Sequence, residues 1–183
     1  PSHFINSYFI WDYLNKGVFA NPMAFAEQFY IAYPKLSIGH WPPLYYSLVG
    51  CLFLLFPAIP ETAVWINLFV TALAGFLLAM LLRPIVGPGW SLVSALVFIL
   101  LPVSLEALNF FMLDQPLTVV VLLSAWMWQR FSDQPSYILG LLFGALVAAA
   151  ILVKGNAARN SALGLVRSLR DSMAEPHAVD GEL

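Results

Sequence analysis

The chain has 183 residues, of which 61% are hydrophobic and 10% charged, and its formal net charge is −2. Soluble globular domains hold roughly 45–50% apolar and about 25% charged residues, so lipid is the expected solvent for much of this surface. There is no basic block, which gives no reason to expect nucleic acid as a partner.

The chain opens Pro-Ser-His-Phe without a basic leader segment, and is expected to be a piece whose true N-terminus is missing. Residues 1–43 interleave aromatics (Phe4, Tyr8, Trp11, Phe25, Tyr30, Trp41 among them) with Asp12, Lys16, Glu27 and Lys35. Rings of that kind favour the headgroup level, so this region is expected to be an external loop carrying juxtamembrane helices. One helix is predicted over Ser7–Lys16, stopped by Gly17, and another over Met23–Ala32, opened by Asn21-Pro22.

Five apolar stretches follow, at about Leu44–Phe56, Ala63–Leu82, Trp90–Leu105, Leu117–Trp128 and Tyr137–Val153. A membrane-crossing helix needs about 20 residues. The second stretch qualifies outright, and the next three do so with flanking residues such as Gly89, Leu108, Asp114 and Arg130 counted. The first is short and lies between Pro42-Pro43 and Pro57, so residues 44–60 read as an interfacial or re-entrant helix. Its Cys51, the single cysteine, has no partner for an internal disulfide and is expected to be a small buried hydrophobe. The fold class expected is therefore all-α: a polytopic helical membrane protein with about four transmembrane helices in residues 61–156, plus interfacial helices. If these spans alternate, Arg83 and Arg130 share one side and Glu61, Glu106, Asp114 and Lys154 the other. The positive-inside tendency makes the arginine side cytoplasmic. Residues 157–183 form a polar tail in which Ser161–Met173 has the spacing of an amphipathic helix.

Three features carry possible chemistry. Asp114, ahead of Gln115-Pro116, reads either as the N-cap of the fourth span or as a functional acid at membrane depth. Lys154 closes the fifth stretch on the same side, as a snorkelling lysine or as a cation for an anionic ligand. His40-Trp41-Pro42-Pro43-Leu44-Tyr45-Tyr46 is an extended turn with an aromatic anchor. Glu106 reads as a solvated loop acid.

Taken in order, the aromatic surface helices, Pro-Pro-Leu-Tyr-Tyr, the span ending in Arg83, Met112-Leu113-Asp114-Gln115-Pro116 and Leu152-Val153-Lys154-Gly155 resemble a family. They look like the N-terminal third of the GT-C membrane glycosyltransferases, in the branch of protein mannosyltransferases and lipid A aminoarabinose transferases. The resemblance covers about Ser2–Asn156. It implies transfer of a sugar from a polyprenyl-phosphate donor to an acceptor protein or glycolipid on the outer or lumenal face of the membrane, with a bacterial inner or plasma membrane as the expected location. Asp114 would match the family's second acid and serve catalysis. Lys154, with Trp41, His40 and Lys35, would hold the donor. No cofactor is certain, although the family allows a divalent metal. The sequence departs from the pattern at Trp41, where a lysine is usual, at His40, where an acid is usual, and beyond Asn156. As a fragment without the family's first acid, the chain is expected to be inactive. The competing expectation is a non-catalytic helical membrane protein, either a transporter fragment or an assembly subunit, with charged groups facing inward near mid-bilayer.

Overall fold

The computed structural model describes residues 2–17, 21–37 and 41–155; His40 and the tail from Asn156 onward, with its expected amphipathic helix, lie outside them. Among the described residues the chain is all-helical, with seven helices and no strand. These are α1 (Ser2–Lys16), α2 (Pro22–Ala32), α3 (Leu44–Leu52), α4 (Pro60–Leu100), α5 (Pro102–Asn109), α6 (Asp114–Asp133) and α7 (Tyr137–Val153).

The N-terminal pair is largely as expected. Gly17, at φ 62°, ends α1, and the Asn21 side chain accepts the Ala24 N–H at 3.2 Å to cap α2, with Pro22 in its first turn. The start of α1 needs correction, since the helix begins at Ser2 rather than Ser7 and so has a further turn containing His3 and Asn6. Asn6, fully buried, accepts the Ser37 N–H at 3.0 Å and donates to its Oγ at 3.2 Å. That pair ties the segment leading into Trp41 back onto α1.

α1 packs along α3. Gly50 makes this close, because a Cβ there would stand 2.9 Å from Ile10 Cβ and from the Ser7 carbonyl oxygen. With nine residues, α3 is far shorter than a crossing needs. Cys51 on it is exposed, contrary to expectation, because α1 covers the opposite side of this short helix.

α4 is long and apolar enough to cross a membrane, and only 28% of its most apolar window is buried. It is not one rod. At about 1.5 Å per residue it would exceed 60 Å if straight. Gly87 instead adopts φ 80° and ψ 169°, a region open essentially to glycine alone, and Pro88 follows. The chain reverses there, for a Cβ on Gly75 would meet Ile99 Cδ1 at 2.6 Å, side chains that a straight helix would hold far apart. Legs 60–86 and 88–100 therefore run antiparallel. The second leg is cut short, however. Leu101 is extended before Pro102, so the expected continuation to Leu108 is a separate helix, α5.

α5 and α6 meet at 118°. Phe111 makes this corner with φ 51°, while Met112 N–H bonds the Ala107 carbonyl at 2.9 Å, the hydrogen bond of a left-handed helix end. Such a conformation costs a non-glycine residue roughly 1–2 kcal/mol. Phe111 is 4% exposed and packed on Tyr45 at 5.7 Å between ring centroids, and that burial offsets the cost. Taken together, α5 and α6 have the length and apolarity of a broken span or a re-entrant loop, and α7 is apolar but shorter, so among the described residues α4 is the one helix that meets the length and composition of a crossing, where about four were expected.

α6 packs against α4 and α7. Ala74 and Leu77 meet Val119, Leu122 and Leu123; Trp128 meets Phe143, with ring centroids 5.5 Å apart. Leg 60–86 and α6 thus run parallel, and α7 returns. Gly87, Arg83, Arg130 and the α6–α7 connection fall at one end of the bundle. Glu61, α5, Asp114, Lys154 and the Trp41 turn fall at the other. Large apolar side chains (Trp65, Phe69, Ile85, Trp90, Leu100, Leu141) remain exposed along the legs.

These contacts predict opposite responses at two glycines. Gly50→Ala forces Ile10 and the Ser7 backbone away and should cost about 1–3 kcal/mol of stability. At Gly144 nothing beyond the adjoining backbone of its own helix lies within 4 Å of a new Cβ, and Gly144→Ala should be neutral or up to about 1 kcal/mol stabilising. Thermal unfolding of the two purified variants measures both.

Candidate functional site

A cleft of about 350 Å³ opens at the end of the bundle where α1, α6, α7 and the Trp41 turn meet; Ser2, His3, Trp41, Leu113, Asp114 and Lys154 are in its lining. Its central feature is an ion pair between residues 40 apart in sequence: Lys154 Nζ donates to Asp114 Oδ1 at 2.6 Å. Helix ends set both partners. Asp114 is the first residue of α6, following the Phe111 corner. Lys154 closes α7 in extended conformation, with its N–H on the Ala150 carbonyl. The Pro-Pro turn lies alongside, since Gly155 would carry a Cβ 3.4 Å from Pro42 Cγ.

The pair is open to solvent, with side-chain exposures of 28% for Lys154 and 51% for Asp114. In that setting an ion pair contributes about 0–1 kcal/mol. Its consequence is placement: a carboxylate and an ammonium with donors to spare are held side by side at the mouth. The N-cap reading of Asp114 needs correction. Leu113 occupies that position and no side chain caps the helix, because the Asp114 carboxylate points to Lys154 instead.

Three of the expected site residues (Asp114, Lys154 and Trp41) line this one cleft. Lys35 is exposed on the turn after α2 and is not in the lining. His40 lies outside the described residues. Glu106 is exposed, on helix α5 rather than in a loop.

His3 is the residue that the sequence did not disclose. Its Nδ1 and the Tyr46 hydroxyl share a 2.6 Å hydrogen bond, and its ring meets Trp41 edge-on at 5.6 Å. Placing the helix start at Ser7 hid it. The spacing His3, Asn6, Ile10 does put it on the face of α1 turned to α3, and a helix read from Ser2 would have disclosed that. Burial holds its imidazole below the ordinary pKa of 6.5; Asp114 opposes that shift and Lys154 adds to it. Tyr46, 1% exposed, has its phenol pushed up to about 12 by burial.

Among the described residues that line the cleft, Asp114 is the one carboxylate and His3 the one imidazole, and no three His, Cys, Asp or Glu side chains of the described residues come together to hold an ion. Magnesium and calcium take six or more oxygens, so a cation would need ligands from the substrate or from elsewhere. Comparison of the chain with known protein families, with characterised proteins and with solved structures finds no match.

His3 yields a pH prediction. A histidine whose pKa is depressed in the folded state contributes its full share above the unfolded value, 6.5, and loses it as pH falls through the folded value. Stability should therefore decline on acidification below about 6.5. In His3→Asn that component of the decline should disappear, as read from unfolding midpoints across pH.

Proposed function

We propose that the chain is part of a polytopic membrane glycosyltransferase that takes a sugar from a polyprenyl-phosphate donor on the outer face of the membrane. One observation carries this reading: Asp114, Lys154 and Trp41 converge on a single cleft beside the Pro-Pro turn, although they come from segments far apart in sequence. Lys154 supplies the ammonium for the donor phosphate, having donors beyond the one given to Asp114. Asp114 accepts the proton of the acceptor hydroxyl through the oxygen that Lys154 does not engage. Trp41, whose amphipathic ring suits the headgroup level, stands edge-on to His3.

The exposed apolar legs support a lipid setting, since contiguous apolar surface of that extent marks a membrane or partner contact. With arginines Arg83 and Arg130 at the end away from the cleft, the positive-inside tendency puts the cleft outside. The transporter or subunit reading finds less support. The buried polar side chains of the legs, Asn67, Thr71 and Ser91, bond to backbone carbonyls, and Asp12 is the one charged residue in the buried set among the described residues.

Two measurements test the proposal. With Cys51→Ser as background, cysteines at Asn109 and Gln134 should label with an impermeant maleimide from opposite sides of sealed vesicles; labelling from one side would defeat the polytopic reading. The purified chain in lipid nanodiscs should bind a polyprenyl phosphate and discriminate against the matching polyprenol, as read by native mass spectrometry. Lys154→Met should weaken that binding by about tenfold or more, the scale of a lost charge-assisted hydrogen bond, while Asp114→Asn should retain it. Equal binding of phosphate and alcohol would exclude a phosphate role for Lys154.

A further inference from the structure

A second concavity lies at the other end of α1, about 13 Å along the helix axis from His3 at 1.5 Å per residue. It is a half-open pocket between α1 and α2, has a volume of about 220 Å³, and includes Tyr8, Asp12, Lys16, Gln28, Phe29 and Tyr33 in its lining. Aromatic packing fixes its walls. Phe9 stands edge-on to Phe29 at 5.1 Å, Phe29 lies 4.7 Å from Tyr33, and Tyr33 stands edge-on to Tyr8 at 6.0 Å. Phe25 and Phe29 are buried, so the ring framework is formed without a ligand.

We propose that this pocket binds a neutral polyhydroxylated ring, a single sugar unit of a glycoside. Three features of the geometry select that chemistry. The first is charge. Lys16 Nζ donates to Asp12 Oδ2 at 2.7 Å, and the same ammonium lies 5.7 Å from the Phe25 ring centroid. The cation that an aromatic cage would take is thus supplied by the chain itself, and a free cation would have to displace it. Asp12 and Lys16 compensate each other, so the pocket presents no net charge to attract an ion of either sign.

The second feature is hydrogen-bonding character. Asp12 offers acceptor oxygens, Gln28 both donors and an acceptor, and the Tyr8 and Tyr33 hydroxyls either role. A sugar hydroxyl is both donor and acceptor, and such mixed lining satisfies it where a purely apolar or purely charged one would not. The aromatic walls complement this, because a sugar ring has an apolar C–H face that stacks on a π surface while its edge stays polar. The third feature is size. Drug-sized ligands fill pockets of roughly 300–1,000 Å³, and this smaller pocket suits one ring. The site does not depend on the cleft at Asp114 and stands whether or not that cleft takes a phosphate.

The test uses the full chain in nanodiscs prepared without glycoside detergents, which would occupy the site. Methyl hexopyranosides, choline chloride and inorganic phosphate are offered separately, with saturation-transfer NMR as the readout. The hexosides should show transfer at their ring C–H protons and saturable millimolar binding, and the two ions should neither bind nor compete. Gln28→Ala and Tyr33→Phe, both at exposed positions, should each weaken hexoside binding by about tenfold with unfolding temperatures unchanged. Saturable binding of choline or phosphate in place of the sugar, or no hexoside transfer in the wild-type chain at tens of millimolar, overturns the proposal.

Discussion

Everything in this fold depends on the reversal at Gly87. The run from Pro60 to Leu100 is nearly uninterrupted in its apolar character, and helix propensity alone would carry it straight through. One residue in a backbone region that side chains do not tolerate, followed by a proline that cannot extend the helix behind it, turns the direction of the chain. The reversal is then held by close packing, with Gly75 accepting Ile99 against its bare backbone. Had the chain continued straight, α5 and the start of α6 would emerge some 60 Å from Glu61. Asp114 could not then face Lys154 beside the Pro-Pro turn.

A second constraint locks the end that the reversal creates. Asn67, fully buried on leg 60–86, accepts a hydrogen bond from the Tyr45 hydroxyl at 3.3 Å and donates to the Ala107 carbonyl at 3.1 Å. A polar side chain in an apolar helix is costly unless satisfied. Here its satisfaction requires α3, α4 and α5 to be together. Ala107 also receives the Met112 N–H, so the same carbonyl helps fix the Phe111 corner. The strain at Phe111 and the polarity at Asn67 are thus two parts of one arrangement, three residues ahead of Asp114. Strained backbone held by well-packed neighbours is a recurrent property of sites that must keep a group in place.

Much of this was legible in the sequence, and the reasons are local. Gly17 and Asn21-Pro22 follow from capping chemistry that acts within one or two turns, and the apolar stretch Leu117–Trp128 with its flanks Asp114 and Arg130 follows from length and composition. The shared end of Asp114 and Lys154 follows from counting alternating apolar stretches, which needs only their number and length. What escaped the reading depends on contacts between segments. His3 and Asn6 look like unremarkable leading residues until Tyr46 and Ser37 are beside them. Cys51 looks buried by composition, and its exposure is decided by which side of α3 the helix α1 covers. The division of Trp90–Leu105 at Leu101-Pro102 was signalled by the proline, but the apolar residues on both sides obscured it.

The two concavities show how one short helix can serve two chemistries. At its first turn α1 contributes His3 to a cleft where a carboxylate and an ammonium lie within reach of solvent. Near its last turn the Asp12–Lys16 pair is drawn against aromatic rings, with Asp12 8% exposed. The charges are of the same kinds, but their surroundings differ. In the cleft the pair joins two separate helices, so a ligand that engages Lys154 can compete with Asp114 at little cost. In the hairpin the pair lies on one helix four residues apart, an arrangement that the helix itself supports. Its carboxylate is sheltered from water, and separating the charges would leave that carboxylate uncompensated. The first geometry suits exchange of an anion; the second suits a ligand that leaves the ion pair intact. An uncharged sugar ring has that property.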